Sequence, residues 1–344
     1  MIGIAVIVSG VLMFCCVYAI VTLSVNLQYG YTGISNLGLY LPIIIGVLTV
    51  GVLPGRLALA VYGLSNLDFV NDNAKAVALL EARLQKDPLT SVMLLVVTLI
   101  VVGGVSAFAG YLSGYPALRL PGDYLALFML CLGESLRLFG METMSLAGGI
   151  YGISIVNLFV FLGPYADLGV ISFIMVSAAI AYIVCDRMCK SPLGRLLRSV
   201  RDNELTAQCV GKNVSLIKKK LLAITFAMLG VAGSLFALFT NAVVVEGYTR
   251  SDFSFWPWLM MVIGGTGNDS GGLLGTGALV IMRRVMIVSK NYFGFLPFDV
   301  LWLEPILLGA MLALVLIFRP AGILPEKAPH VKRPYPKTTE EHRT

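Results

Sequence analysis

Long uninterrupted apolar runs dominate the chain. Residues 2–25 contain no charged side chain, and at about 1.5 Å per residue such a run is longer than the about 30 Å hydrocarbon core of a bilayer. A secretory signal peptide would begin with a positively charged region and have a shorter apolar core. This run has neither feature, so we expect a membrane-spanning helix that is retained. Further apolar runs lie at 37–53, 91–112, 124–140, 154–164, 166–185, 221–243, 254–265, 273–288 and 301–318.

Glycines interrupt the apolar sequence at four places, and several runs are shorter than the about 17 residues of a spanning helix. Broken helices occur in membranes where protein or a water-filled cavity satisfies the freed backbone. The pattern therefore predicts an all-α polytopic membrane protein of about eight to ten membrane segments, including broken or re-entrant helices. Close helix packing is the alternative for any one break. The breaks are 30–33, 148–149, 264–267 and 271–275.

The composition supports the membrane interpretation. Hydrophobic residues make up 58% of the 344 residues and charged residues only 13%, whereas a soluble domain carries about 25% charged residues. These ionic side chains are too few to cover a water-facing globule of this size. The composition therefore excludes soluble, disordered and fibrous proteins.

Basic residues cluster in one loop. Nine of the 25 lysines and arginines lie within 186–220, and Lys- and Arg-rich loops stay in the cytoplasm during membrane insertion. We therefore predict a cytoplasmic loop at 186–220 and an external loop at 241–253. The proline-rich and basic residues 325–344 predict a polar, cytoplasmic C-terminal tail after a permease domain over 1–324. The net charge of +6 reflects this loop bias and does not indicate a nucleic-acid partner.

Residues 65–90 interrupt the membrane pattern with many charged and amide side chains. Apolar residues recur at helical spacing between 76 and 84, which predicts a short helix over 74–84. We expect this extramembrane insertion to be a solvated connector. An interfacial helix that contacts a partner is the alternative.

Residues suited to catalysis or metal binding are scarce. Both histidines, His330 and His342, lie in the polar tail, and the six cysteines form no CxxC pair, so we predict no catalytic residue, metal site or cofactor. No phosphate-binding G-x-x-x-x-G-K-[ST] motif occurs, and the nearest match has Thr206 at the first glycine position. The chain therefore cannot hydrolyse ATP by the route that uses this motif, and if it is a primary transporter, another polypeptide hydrolyses the ATP. An integral-membrane enzyme is a weaker alternative.

Glu134 and Arg137 are charged residues within the otherwise apolar run 124–140. Three residues apart, they share one face of a helix. An ionisable residue within a membrane costs about 2.5–3.5 kcal/mol and is either paired or part of an ion pathway. No second carboxylate continues a pathway, so we predict a structural intramembrane ion pair. An ion-coupled secondary transporter that uses this pair is the alternative.

The basic loop contains a candidate docking helix over 201–211. Asp202 or Asn203 is suited to cap its start, Glu204 favours its first turn, and Gly211 ends it. Such a helix, standing off the membrane, suits a groove on another protein. A solvated surface helix is the alternative. Its apolar stripe consists of Leu205, Cys209 and Val210.

Five motifs in order resemble the permease subunits of branched-chain amino acid ABC importers, in particular the M-type subunit, and the resemblance covers most of the chain. The motifs are GYTGISNLG at 30–38, LRLPGDYLA at 118–126, SPLGR at 191–195 with RDNE at 201–204, GGxG at 264–267 and FRPAG at 318–322.

The resemblance implies a multi-pass permease of a prokaryotic inner membrane, surrounded by lipid, that moves a solute and is not itself an enzyme. Its expected partners are a second permease subunit, two ATP-binding subunits and an extracytoplasmic substrate-binding protein. The expected solute is a branched-chain amino acid or a similar small polar molecule. Related permeases import urea or short amides, which remain an alternative.

The resemblance also implies two sets of site residues. The segment expected to couple to the ATP-binding subunits contains Arg201, Asp202, Asn203, Glu204, Ala207 and Gly211. The residues expected to line the translocation pathway are Tyr31, Thr32, Ser35 and Asn36.

Overall fold

The computed structural model describes residues 2–64, 67–289, 303–318 and 322–326. Within these ranges seven helices are long and apolar enough to cross a membrane, which confirms the predicted all-α polytopic fold. The seven helices are α1 (Ile2–Val25), α2 (Tyr40–Val61), α4 (Pro88–Ala117), α5 (Gly122–Glu142), α7 (Ala166–Lys190), α10 (Val214–Thr240) and α12 (Asp269–Ser289).

Shorter elements complete the described chain. The other helices are α3 (Asn73–Leu84), α6 (Met144–Ala147), α8 (Pro192–Asp202), α9 (Glu204–Cys209), α11 (Trp256–Gly264) and α13 (Leu303–Phe318). Single π-helical turns cover Asn26–Gly30 and Ser251–Phe255, and 3-10 turns cover Gly149–Tyr151, Val160–Tyr165 and Val245–Gly247. Two short strands, β1 (Ile153–Ser154) and β2 (Ala242–Val243), pair antiparallel, with Ile153 opposite Val243.

The apolar run 154–164, one of those too short to span a membrane alone, does not form a helix of its own. Its first residue belongs to β1, and its last residues form a 3-10 turn that leads into α7. Gly163 has a non-helical backbone (φ 58°, ψ −124°) and precedes Pro164, which lacks a backbone N–H. These two residues separate the run from α7.

Three of the four predicted glycine breaks fall at helix ends: after α1, after α6, and between α11 and α12. The fourth break, 271–275, is wrong because these residues lie inside α12. A Cβ at Gly271 or Gly275 would collide with the backbone of Gly264 in α11. These glycines therefore permit close helix packing instead of breaking the helix.

The segments that connect the helices form contacts with one another at each of the two ends of the helical bundle. At the end that contains α8 and α9, the Arg201 guanidinium donates to the Gly30 carbonyl. We call this the basic end. At the opposite end β1 pairs with β2, and the Asn73 amide donates to the Ser154 carbonyl over 3.1 Å.

The predicted helix in the insertion is present as α3 and lies at the opposite end. One face is part of the hydrophobic core, since Ala76, Leu80 and Leu84 are fully buried. The Glu81 carboxylate also accepts the Asn157 backbone N–H at 3.1 Å. The insertion is thus packed against the bundle on one face and is more than a solvated connector.

Candidate coupling surface and polar cavity

The predicted docking helix is divided in the structure. α8 continues to Asp202, Asn203 is extended (φ −159°, ψ 109°), and α9 then begins at Glu204. The Asn203 side chain accepts the Thr206 backbone N–H at 3.0 Å, so of the two candidate caps Asn203 is the one used. The predicted cap at Asn203 is therefore confirmed, whereas Arg201 and Asp202 belong to α8 and not to the docking helix, because a capped start requires a non-helical residue before it.

One face of α9 packs inward and the other faces outward. Ala207 is buried in a small cluster with Val200 of α8 and Val214 of α10. Leu205 and Val210 are 74% and 72% exposed. The apolar stripe predicted from the sequence therefore lies on the surface, where a partner protein can reach it. Cys209 of the same stripe is also exposed.

Both ends of α9 are determined by local contacts. The Glu204 carboxylate pairs with the Lys218 ammonium at the start of α10. Gly211 has φ 78°, and no atom lies within 4 Å of where its Cβ would stand. A left-handed glycine is a frequent helix terminator, so the sequence correctly placed the end of this segment.

Arg201, the penultimate residue of α8, connects the coupling segment to the membrane helices. Besides the Gly30 carbonyl, its guanidinium binds the Glu326 carboxylate at 2.9 Å. Arg198 binds the other oxygen of Glu326 at 3.0 Å. Removing Glu326 would take the carboxylate from Arg198 and leave Arg201 with the exposed Asp202 carboxylate at 3.4 Å. Because both guanidinium groups are largely buried, this costs more than losing an exposed ion pair. We call Arg198, Arg201 and Glu326 the carboxylate clasp.

The carboxylate clasp lies against the turn between α11 and α12. Glu326 is the side chain that a Cβ at Gly267 would meet, and Gly267 itself has φ 76°. The segment before Glu326 is attached to the end of α11, because Ile323 and Leu324 donate backbone hydrogen bonds to the carbonyls of Ile263 and Gly264 at 2.8 and 3.0 Å. α8 is thus connected through Glu326 to the turn between α11 and α12.

A polar cavity of about 550 Å³ opens beside the clasp at the basic end. It carries charged groups of both signs, as a polar or zwitterionic solute would require. Its lining comes from the turn after α1, the end of α7, α8, the α11–α12 turn with the start of α12, and the segment 324–326. The lining residues are Tyr31, Tyr182, Asp186, Cys189, Lys190, Arg198, Gly267, Asn268, Asp269, Ser270, Leu324, Pro325 and Glu326.

Of the four predicted pathway residues, Tyr31 lines this cavity. Burial raises the pKa of its phenol, the Asp269 carboxylate adds to this effect, and the phenol therefore stays neutral. The Thr32 hydroxyl instead donates to the Leu27 carbonyl at 3.0 Å. Ser35 is half-buried and Asn36 is buried, and neither lines the cavity. Their part in translocation stays a prediction.

Sequence reasoning missed Asn26 and Asp269, which join two helix breaks. The Asn26 amide donates to the Asp269 carboxylate at 2.7 Å, and its oxygen accepts the Gly267 backbone N–H at 2.8 Å. All three groups are buried, where an unpaired polar group would be costly. The only available signal was polar residues at the ends of apolar runs.

Gln28 forms a second buried amide contact beside the first. Its amide donates to the Thr225 hydroxyl of α10 at 2.8 Å, and its oxygen accepts from the Asn36 amide at 3.0 Å. Backbone carbonyls of the turn after α1 accept from side chains as well, Leu27 from Thr32 and Gly30 from Arg201, which is how irregular backbone is stabilised inside a membrane protein.

The predicted pairing of Glu134 and Arg137 is confirmed, with 2.8 Å between Oε1 and the guanidinium. The Tyr40 hydroxyl donates to the Leu130 carbonyl at 2.7 Å and lies 3.3 Å from Glu134 Oε2. Arg137 also reaches the Glu246 carbonyl in the loop after β2, at 3.4 Å. The pair therefore links α2, α5 and this loop. Its purely structural role stays a prediction.

Replacing Glu134 with glutamine should lower folding yield. Arg137 would keep only neutral partners in a largely buried site, so we expect the free energy of unfolding to fall by about 1–3 kcal/mol. Monodisperse protein recovered in detergent and its melting temperature measure the effect. Glu142→Gln, an exposed change on the same helix, is the matched control. Normal yield with loss of proton-dependent solute movement would instead support ion coupling.

No metal site is evident in the described ranges: they hold no group of three or more His, Cys, Asp or Glu side chains suited to bind a metal ion.

Comparison with known proteins gives consistent matches. The family model described as "Branched-chain amino acid transport system / permease component" matches residues 7–316. The probable branched-chain amino acid transport permease protein LivM of Methanocaldococcus jannaschii is 30% identical over 324 residues, which cover 93% of this chain and 94% of that protein.

Two bacterial relatives match a shorter part of the chain. The high-affinity branched-chain amino acid transport system permease proteins LivM of Salmonella typhimurium and Escherichia coli are 29% and 28% identical. Each match covers 67% of this chain, and 57% and 58% of the respective relatives. No solved structure matches the chain.

Proposed function

Since the chain belongs to the permease family of branched-chain amino acid transport systems, we propose that it is a transmembrane subunit of an ABC importer. In this proposal it translocates branched-chain amino acids or similar small polar solutes. Two separate ATP-binding subunits hydrolyse ATP, a second permease subunit completes the pathway, and an extracytoplasmic binding protein delivers the solute.

In the proposed orientation the basic end faces the cytoplasm of a prokaryotic cell, with the chain in the plasma membrane. The positive-inside rule supports this, because α8 and α9 lie within the basic loop 186–220. The segment 322–326 is bound at the same end, which supports a cytoplasmic C-terminal tail. Residues 327–344 of that tail lie outside the described residues. α3 then faces the extracytoplasmic side.

The observation that carries the proposal is the connection of the exposed α9 to the helix breaks. α9 packs on α8 through Ala207 and Val200, and Arg201 at the end of α8 binds both Gly30 and Glu326. Closure of the ATP-binding subunits would move α9 and α8 as one unit. The carboxylate clasp would pass that movement to the α11–α12 turn and change access to the polar cavity.

A reconstituted transporter tests the function directly. We expect proteoliposomes with this chain, its partner permease, the ATP-binding subunits and the binding protein to accumulate radiolabelled leucine, isoleucine or valine only when ATP is supplied. Omission of the ATP-binding subunits is the control. Accumulation of solute by the chain alone under a proton gradient would contradict the proposal, and exclusive uptake of urea or acetamide would assign the alternative solutes.

A further inference from the structure

A second cavity, of about 270 Å³, lies at the opposite end of the bundle. It is formed by α1, the end of α10, the π-helical turn before α11, and α12, and it shares no lining residue with the polar cavity. Most of its wall is apolar and includes Phe14, Phe236 and Val280. Three charged residues, two arginines and one aspartate, also line it.

One of the two arginines is neutralised within the wall. Arg283 donates to the Asp252 carboxylate at 2.5 Å and to the Tyr18 hydroxyl at 3.1 Å. Its guanidinium also lies 5.3 Å from the Trp256 ring centroid. Asp252 is further fixed by the Thr249 hydroxyl at 2.7 Å. This pair therefore has a defined position and no net charge.

Arg284 has no counter-charge among the described residues of the cavity wall. Its Nε is buried and finds no hydrogen-bond partner among the described residues. Asp252 is the sole carboxylate in the described lining, and it already pairs with Arg283. A buried donor that lacks an acceptor is costly, more so when it is charged. The cavity thus offers one net positive charge and one unused donor to a ligand.

We propose that this cavity is an external subsite for an aliphatic α-amino acid. The carboxylate of the amino acid pairs with Arg284, its ammonium group lies towards Asp252, and its side chain packs among the apolar residues of the wall. The volume is just below the about 300–1,000 Å³ of pockets for drug-sized ligands, which suits a small solute better than the acyl chains of a lipid. The inference rests on the proposed function and adds a location for the solute.

The position of the cavity agrees with a subsite on the transport path. α12 lines both cavities, with Asp269 in the polar cavity and Val280 in this one. Between them the buried hydroxyls of Thr276 and Thr22 lie 3.0 Å apart, and Thr22 also contacts the Met260 sulfur at 3.8 Å. A solute in the external subsite would therefore lie on the same helix as the polar cavity, with these buried contacts between the two sites, as expected for successive sites on one path.

Leucine binding to the purified, complete permease complex tests the proposal, without ATP and without the binding protein. We expect Arg284→Gln to weaken the binding of radiolabelled L-leucine at least about tenfold, while Arg284→Lys retains most of it. Leucinol, which lacks the carboxylate, should bind equally weakly to the wild type and to Arg284→Gln. Arg56→Gln removes an arginine at the same end that binds the Ser145 carbonyl outside the cavity, and it should leave leucine binding unchanged.

A second variant separates binding from folding. Val280→Phe fills the apolar part of the cavity and should weaken leucine binding, while size-exclusion chromatography confirms an intact complex. Unchanged leucine affinity in Arg284→Gln overturns the proposal, as does an equal loss for leucinol. It is likewise overturned if phosphatidylglycerol raises the melting temperature only when Arg284 is present and leucine does not compete. If the wild-type complex neither binds nor transports leucine, isoleucine or valine, the proposed function fails together with the subsite.

Discussion

Glu204→Lys should abolish ATP-dependent uptake and reduce co-purification of the ATP-binding subunits more than tenfold. Glu204 stands in the first turn of α9 and pairs with Lys218. A lysine there would face Lys218 and the positive end of the helix, where cations are destabilising. Because the side chain is half-exposed, the variant should still fold, and the loss should come from a displaced docking helix.

Asp72→Lys provides the matched control for this prediction. It makes the same charge change at a half-exposed carboxylate next to α3, where Asp72 pairs with Lys75 at 3.8 Å. Uptake and co-purification should stay at wild-type levels. If Glu204→Lys assembles and transports like the wild type, α9 is not the coupling element.

Gly46→Leu should remove most of the folded protein from the membrane. α2 and α10 approach so closely at Gly46 that a Cβ there would collide with the backbone carbonyl of Gly230. A backbone cannot give way as a flexible side chain can, so the two helices would have to separate. Overpacking costs about 1–3 kcal/mol and occasionally more, and we expect this site to exceed that range. Membrane abundance and size-exclusion profiles of the tagged protein measure the effect.

Gly103→Leu is the control for this steric prediction. Gly103 lies in α4, and no atom is within 4 Å of where its Cβ would stand. The substitution should leave abundance and melting temperature close to those of the wild type. Equal abundance of the Gly46 and Gly103 variants would show that the helix contact is more adaptable than the structure indicates.

Local features were predictable because they depend on neighbouring residues. Gly211 terminates α9 as expected, and the charged insertion forms its helix at 73–84, one residue longer than predicted. The pairing of Glu134 with Arg137 followed from a three-residue spacing on one helical face. The wrong predictions arose where a neighbour in space decides. The segment 271–275 is rich in glycine, as a helix break would be. It nevertheless stays helical, and its Gly271 and Gly275 pack against α11.

The candidate site was only partly predictable for the same reason. The sequence indicated Tyr31 and the segment around Glu204, since both belong to recognisable motifs. It did not indicate Glu326, which lies 128 positions from Arg198, or Asp269, which lies 243 positions from Asn26. Hydrophobic periodicity reports which face of a helix is apolar, but it carries no information about which distant helix covers that face.

The sequence by itself determined that the chain is a bundle of membrane helices with a basic loop at one end. The physical reason is that long apolar runs must satisfy their backbone hydrogen bonds internally, which a helix does with residues four positions apart. Only the tertiary structure decided which polar groups come together: the carboxylate clasp, the amide contacts at the helix breaks, and the charged residues in the wall of the second cavity. These contacts depend on how the helices pack, and packing is a property of the whole fold.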